Sequence, residues 1–328
     1  MIDEKYLLKN EHYIMNEFEF KSGAVLKDVD VDYGVVGTPK YDEEGNIINA
    51  ILFFHAFEGN YSSIHEFNQL IGQDAVLTKD DYFFISITSL GYPNSCSPSV
   101  TGLKYEFPHY GIEDLVNFKK QFLKEKFPNI KKVHGIIGHK FGGYEALAWS
   151  IFYPDEIDFI INFASSFKTA GYKYIFAKIV SKIIEDSQDY YSDYYGESIS
   201  KVLISLSQLH YLISFTEEEF NKMSVDEIDF MMEDFADNLL FYDIYDIKFM
   251  NDFLITYDLQ DKLDQIKCKV LAVGIKNISY YSIEHDFFPL KDFIKHSKLV
   301  LLDVNGKENE LDYIYQIEDD IKEFIDSV

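Results

Sequence analysis

Gly138-His139-Lys140-Phe141-Gly142 stands between a short apolar run, Val133 to Ile137, and a helical stretch that opens with Gly143-Tyr-Glu-Ala-Leu-Ala-Trp149. Strand, Gly-x-x-x-Gly, helix is the pattern of a nucleophile elbow, a sharp turn that lifts one side chain above a sheet. In a working elbow the middle residue is Ser, or in some proteins Cys or Asp. Here it is Lys140. The frame for catalysis is present and the nucleophile is not.

Outward from this turn, apolar runs recur with loops behind them. Ala50 to Phe54 precedes His55-Ala-Phe-Glu-Gly59. Tyr82 to Ile87 precedes Leu90-Gly-Tyr-Pro-Asn-Ser95. Ile157 to Phe163 precedes Ala164-Ser-Ser166. Val270 to Val273 precedes Gly274, and Leu299 to Asp303 precedes Val304-Asn-Gly306. Runs of this kind lie buried in parallel sheets. Between them, Ile112, Leu115, Val116 and Phe122 share one helical face, as do Ile314, Ile317, Ile321 and Phe324. The alternation predicts an α/β fold, a mostly parallel central sheet flanked by helices. Phe18 to Gly37 alternates like an antiparallel entry hairpin. Residues 168–262 break the pattern with helical periodicity, many Tyr and Phe, and no clear strand. They read as a helical lid inserted between two parts of the core, 1–167 and 263–328. A lid at the sheet's C-terminal edge covers the place where such sheets bind ligands.

Composition narrows the partners. Formal charge is −26 in 328 residues, so the surface repels nucleic acid and anionic membranes. All 30 basic residues are Lys. An anionic ligand therefore meets no bidentate guanidinium, only Lys, His, hydroxyls or backbone N–H. Cys96 and Cys268 form neither a disulfide framework nor a metal cluster. The acidic start lacks the basic and apolar regions of a signal peptide, and no apolar run reaches membrane-spanning length. The expected setting is the cytoplasm. No Gly-rich loop suggests a nucleotide, and no cofactor is expected.

In this order and spacing the motifs resemble the homoserine O-acetyltransferases, a branch of the α/β-hydrolase superfamily. The resemblance runs from about Phe18 to Val328. His55-Ala-Phe-Glu-Gly59 is similar to the family's oxyanion loop, His-Ala-Leu-Thr-Gly. Leu90-Gly91 with Ser97-Pro-Ser99 resembles a shortened Gly-Ser-Thr-Gly-Pro-Ser-Ser loop. Thr101-Gly102, Tyr105, Phe107-Pro108, Ile112 and Asp114 match the next signature, and Gly142-Gly143, Ala146-Leu147 and Trp149 match the helix after the elbow. The resemblance implies an α/β-hydrolase fold with a helical lid and acyl-transfer chemistry. In that chemistry a Ser takes the acyl group, a His is the base, and an Asp orients the His.

The same alignment removes that machinery. The nucleophile position is Lys140. Where the family reads Gly-Ile-Asp-Ser-Asp, this chain reads Gly274-Ile-Lys-Asn-Ile278, which puts Ile278 at the acid position. Where the family reads Gly-His-Asp, this chain reads Gly306-Lys307-Glu308, which puts Lys307 at the base position. The family's substrate-binding Arg has no counterpart. The expectation is a non-catalytic homologue with a regulatory, scaffolding or ligand-binding role. The alternative is an acyltransferase or hydrolase for a small amino-acid or acyl substrate, working with non-standard residues. By resemblance, a homodimer or a heterodimer with an active paralogue is implied.

Three readings of Lys140 stay open at this point. It pairs with a carboxylate and plugs the old site, with Glu58 and Glu308 as the expected partners. It joins Lys307 and the N–H groups of Phe57 and Phe141 in a vestigial oxyanion pocket for a small carboxylate or acyl ligand. Or, next to a helix N-terminus and desolvated, its pKa falls and it forms a Schiff base. His55 is expected to shape its loop and His139 to bond locally. His285 and His296 do not follow the last strand. Ser165-Ser166 lack an adjacent His, and Cys96 lacks a placed one.

Overall fold

The computed structural model describes residues 7–93, 95–192, 196–276, 280–304 and 309–328. Buried side chains alternate with less buried ones from Val29 to Tyr33 of β2 (Val25–Gly37), which pairs with β1 (Lys9–Glu19) in an antiparallel hairpin closed by Phe20 N–H on the Ala24 carbonyl at 2.8 Å. The hairpin begins at Lys9, well before the expected Phe18. The first half of β1 is exposed and polar, so it carries no hydrophobic signal; the β2 backbone ladder holds it instead.

The remaining strands are β3 (Ala50–Phe54), β4 (Phe83–Ile87), β5 (Val133–His139), β6 (Ile157–Phe163), β7 (Lys269–Lys276) and β8 (Ser297–Asp303). The sheet order is β1-β2-β4-β3-β5-β6-β7-β8, with β2 antiparallel to β4 and every pairing from β4 to β8 parallel. All five residues of β3 are buried, as its unbroken apolar run requires of a strand covered on both faces.

Helices supply those covers. In chain order the core carries α1 (Asn68–Ile71), α2 (Pro98–Thr101), α3 (Ile112–Lys126) and α4 (Phe141–Phe152). One face of the sheet packs on Leu115, Phe122, Leu147 and Trp149, the other on Phe67, Ile317, Ile321 and Phe324. Each such side chain contributes roughly 1.5–3 kcal/mol of burial free energy.

The lid consists of α5 (Tyr172–Glu185), α6 (Glu197–Ser214), α7 (Glu217–Lys222), α8 (Val225–Ala236) and α9 (Ile244–Thr256). It has its own apolar centre, which includes Val180, Ile184, Leu203, Leu206 and Ile247. A bridge between Lys168 and Asp258 joins the chain where it enters and leaves the lid. After β7 come α10 (Leu290–Phe293), β8 and the closing helix α11 (Glu318–Asp326). No helix among the described residues is long and apolar enough to cross a membrane.

Candidate functional site

The elbow forms as its glycines require. A Cβ on Gly142 would stand 2.0 Å from the Phe54 carbonyl oxygen, and one on Gly143 would stand 1.9 Å from Asn162 Oδ1. Only glycine lets α4 approach β3 and β6 so closely. Lys140, between β5 and α4, adopts φ 50°, ψ −108°. That backbone is strained for a residue with a side chain, at a cost of about 1–3 kcal/mol. The Lys140 N–H donates to the Phe163 carbonyl at 2.8 Å and its carbonyl accepts from Gly143 at 3.0 Å.

The turn delivers the lysine to a carboxylate. Lys140 Nζ lies 2.7 Å from Glu310 Oε1, and His139 Nε2 lies 3.0 Å from the same oxygen. This corrects the expected pairing. Glu310 is the partner, and Glu58 contributes only a longer-range field; Glu308, like Lys307 and Ile278, lies outside the described residues. It also goes against the one of the three readings in which the Lys140 pKa falls. Burial is the largest single influence and works against the ammonium, but Glu310, joined by the weaker fields of Glu58 and Glu66, outweighs it and holds Lys140 above its ordinary value. Burial alone would push the Glu310 carboxyl up; His139 and Lys140 together hold it well below the usual carboxylate range. Burial keeps His139 neutral despite that bond. Its Nε2 must then carry the hydrogen, and its Nδ1 is buried without a partner. His139 packs edge-on to Phe67 with ring centroids 5.2 Å apart, but its hydrogen bond reaches across the chain to Glu310 rather than staying local as expected.

The loop after β3 is set by His55. Ser89 N–H donates to His55 Nε2 at 3.0 Å, so Nδ1 carries the hydrogen it directs to the Ala56 carbonyl at 2.7 Å. Burial lowers the His55 pKa to about 3, so the ring is a fixed neutral strut. Below it, Lys119 of α3 and Glu145 of α4 form a fully buried ion pair, and Ser89 Oγ donates to Glu145 at 2.6 Å. This network couples the loop after β3, the loop after β4 and the elbow helix. Phe57 and Phe141 flank the turn with ring centroids 6.2 Å apart. The N–H of Phe141, in the first turn of α4, has no intrahelical partner.

Above the elbow, between the sheet edge and the lid, is a cavity of about 500 Å³. Lys140, Glu310, Phe57, Glu58 and Phe141 line its floor, and α5 to α9 supply its roof. The wall is aromatic: Tyr144 stacks on Tyr257 at 4.3 Å, and Tyr280 meets Tyr281 at 5.0 Å. Two polar anchors tie the lid down. Lys173 of α5 pairs with buried Asp286, to which Ser166 Oγ donates at 2.7 Å. Ser99 donates to Asp246 of α9 through its N–H at 2.9 Å and its Oγ at 2.5 Å. Ser166 thus has a lysine and an aspartate beside it, though it lies outside the cavity lining. Ser165 Oγ is buried and unpartnered. Burial pushes both the Cys96 and Cys268 thiols up to about 12, so neither is a thiolate nucleophile. Among the described residues no group of three or more His, Cys, Asp or Glu could hold a metal ion.

Sequence reasoning missed Glu310, His210 and the Lys119–Glu145 pair. Glu310 sits just beyond the family's Gly-His-Asp match, so motif alignment passed over it. Lys119 did leave a signal: it lies on the otherwise apolar face of α3, between Val116 and Phe122.

Comparison with known proteins agrees with this geometry. A family model described as alpha/beta hydrolase fold matches residues 49–286. A probable acyltransferase of Methanothermobacter thermautotrophicus is 34% identical over 309 residues, covering 92% of this chain and 95% of the relative. A homoserine O-acetyltransferase of Pasteurella multocida is 29% identical over 197 residues, covering 54% and 52%. The solved structure of an acetylester hydrolase from Corynebacterium glutamicum superposes with a TM-score of 0.80 at 22% identity, covering 97% of this chain and 96% of that one.

Proposed function

The chain belongs to the α/β-hydrolase family, with acyltransferases and esterases among its relatives, and from that premise we propose that it is a non-catalytic, ligand-binding member. One observation carries the reading: the residue at the nucleophile position is an ammonium paired at 2.7 Å with Glu310. Acyl transfer needs a lone pair that a neighbouring base can free. Lys140 has none while protonated, and Glu310 raises its pKa. The same pairing argues against Schiff-base chemistry. The sequence supports the loss further, since Ile278 and Lys307 stand at the acid and base positions. The elbow strain, the glycines and the His55 strut are retained, and a cavity of about 500 Å³ lies above them, within the size range of small-molecule sites. A fold that keeps the pocket without the chemistry is suited to sensing or carrying a ligand.

We read the cytoplasm as its setting, where two buried free thiols would stay reduced. We also read self-association, or pairing with an active paralogue, in the lid: Val225, Phe230 and Phe241 are exposed there at 72%, 67% and 93%. Light scattering checks the latter. The test of the main reading is direct assay of the purified chain for acetyl transfer from acetyl-CoA to homoserine or serine and for hydrolysis of p-nitrophenyl acetate. No turnover above buffer is expected. Turnover that disappears in Lys140→Ala would overturn the reading.

A further inference from the structure

The cavity carries an imbalance of charge. Its described lining has two ammonium groups, and each is already paired: Lys140 with Glu310 at 2.7 Å, and Lys276 with Asp303 at 3.0 Å. It also has two further carboxylates, Glu58 and Glu219, with no ion-pair partner among the described residues. Glu219 Oε2 accepts from the Thr216 N–H at 2.7 Å and the Thr216 hydroxyl at 3.0 Å, capping α7. Its other oxygen, Oε1, is buried with no hydrogen-bond partner. A buried carboxylate oxygen left without a donor is costly, and turning the Glu219 carboxylate toward the cavity its side chain borders would offer that oxygen to a ligand N–H. The field of Glu58 reaches Lys140, His210, Tyr280 and Tyr281 around the same space.

The lining holds a further acceptor beside the hydroxyls of Tyr144, Tyr280 and Tyr281. His210 Nδ1 lies 2.8 Å from the Leu206 carbonyl, so that nitrogen is the donor and Nε2 keeps its lone pair. Burial lowers the His210 pKa, which leaves the ring neutral near pH 7. The donors of Ser214 and Asn251 are committed to the carbonyls of His210 and Ala177, at 2.9 and 2.8 Å. Around these acceptors stand the rings of Phe176, Phe215, Phe235 and Tyr280. Ring faces attract cations. The whole chain, at −26, adds to the same field.

We propose that this cavity binds an organic cation, a protonated amine on an apolar body, with Glu219, Glu58 and His210 receiving the ammonium and the rings enclosing the rest. The inference rests on the ligand-binding reading above, and it replaces the small carboxylate that the sequence suggested with the opposite charge. An anion would have to displace Glu310 from Lys140 and would meet two carboxylates that have no ion-pair partner among the described residues.

The test uses three probes that share one skeleton, phenylbutylamine, phenylbutanol and phenylbutyrate, titrated calorimetrically into the intact chain near pH 7. The amine should bind about tenfold tighter than the alcohol, the scale of one desolvated cation–ring or ion-pair contact. The carboxylate should bind weakest. Glu219→Gln, which keeps the cap on α7, should weaken the amine about fivefold or more and leave the alcohol unchanged. Glu58→Gln should act the same way from the floor, facing Glu219 in the roof. An alcohol that binds as tightly as the amine, or a carboxylate that binds tighter, overturns the cation assignment and leaves the ligand-binding reading standing. Failure of all three probes to bind overturns both.

Discussion

Lys140 Nζ and Glu310 Oε1, 170 residues apart in sequence, meet at 2.7 Å above the strained turn of the elbow. The contact reverses what the turn does elsewhere in this fold. A nucleophile there must be uncharged or readily deprotonated, whereas this carboxylate fixes a proton on the lysine. Because His139 shares the same oxygen at 3.0 Å, Glu310 ties the end of β5 to the segment after β8. The pair therefore joins two loops of the sheet's C-terminal edge.

Removing that carboxylate's charge should release the lysine. In Glu310→Gln burial, already the largest single influence on Lys140, is opposed only by the weaker fields of Glu58 and Glu66, and the lysine pKa should drop below its ordinary value. Acetylation of Lys140 by acetic anhydride, followed by peptide mapping across pH, should show its midpoint moving down. Stability should fall by about 2 kcal/mol, the scale of a charge-assisted hydrogen bond discounted for a partly exposed lysine. An unmoved midpoint would mean that the pair does not govern Lys140.

The pH dependence of stability contains two terms of opposite sign. Burial raises the Asp246 pKa to about 6 from 3.8, so between those values the folded state binds more protons than the unfolded chain. Its contribution is greatest below about pH 4 and declines as pH rises through 6, by roughly 3 kcal/mol in all. Glu310 is shifted downward, so its contribution is present above about pH 4.5 and is lost as pH falls further. Urea titrations should show Asp246→Asn lacking the decline between pH 4 and 6, and Glu310→Gln showing a flatter acid limb. Identical slopes for wild type and Asp246→Asn would refute the assigned shift.

Beneath the elbow, Lys119 and Glu145 are both 0% exposed. Breaking such a pair leaves one charge buried alone. Lys119→Met or Glu145→Gln should each cost roughly 3–5 kcal/mol, while the double change Lys119→Met with Glu145→Leu should recover most of the loss. Denaturant midpoints measure all three. Additive losses in the double variant would show that the two groups act independently.

What the sequence made legible is the part fixed by local backbone and burial. The elbow glycines could be read because close approach of α4 to β3 and β6 forbids any Cβ there. The strands could be read because parallel strands buried on both faces need unbroken apolar runs. The role of His55 followed from its place at the head of a loop. The partner of Lys140 was not legible, because Glu58, Glu308 and Glu310 are equivalent in sequence terms. Glu310 is picked out by a contact across 170 residues, which no local pattern encodes. Nor could the direction of the Lys140 pKa be read, since burial and pairing oppose each other and the winner depends on a distance. The first half of β1 was hidden because an exposed edge strand carries no apolar period.

The last prediction tests the proposed loss of chemistry by asking what one residue at the elbow can supply. Lys140→Ser puts a hydroxyl on a backbone already shaped for it, with the first-turn N–H of Phe141 beside it. It does not supply a base. His139 cannot serve, because its Nε2–H is committed to Glu310 and its Nδ1 is buried. His55 cannot serve, because both its ring nitrogens are bonded and its pKa is about 3. The single variant should therefore hydrolyse p-nitrophenyl acetate no faster than buffer. Adding Ile278→Asp and Lys307→His supplies an acid and a base at the aligned positions, and a burst of p-nitrophenol from an acyl-enzyme is the expected outcome. A burst from Lys140→Ser alone would show that a working base lies within reach of the elbow, and that Lys140 was the only barrier to chemistry.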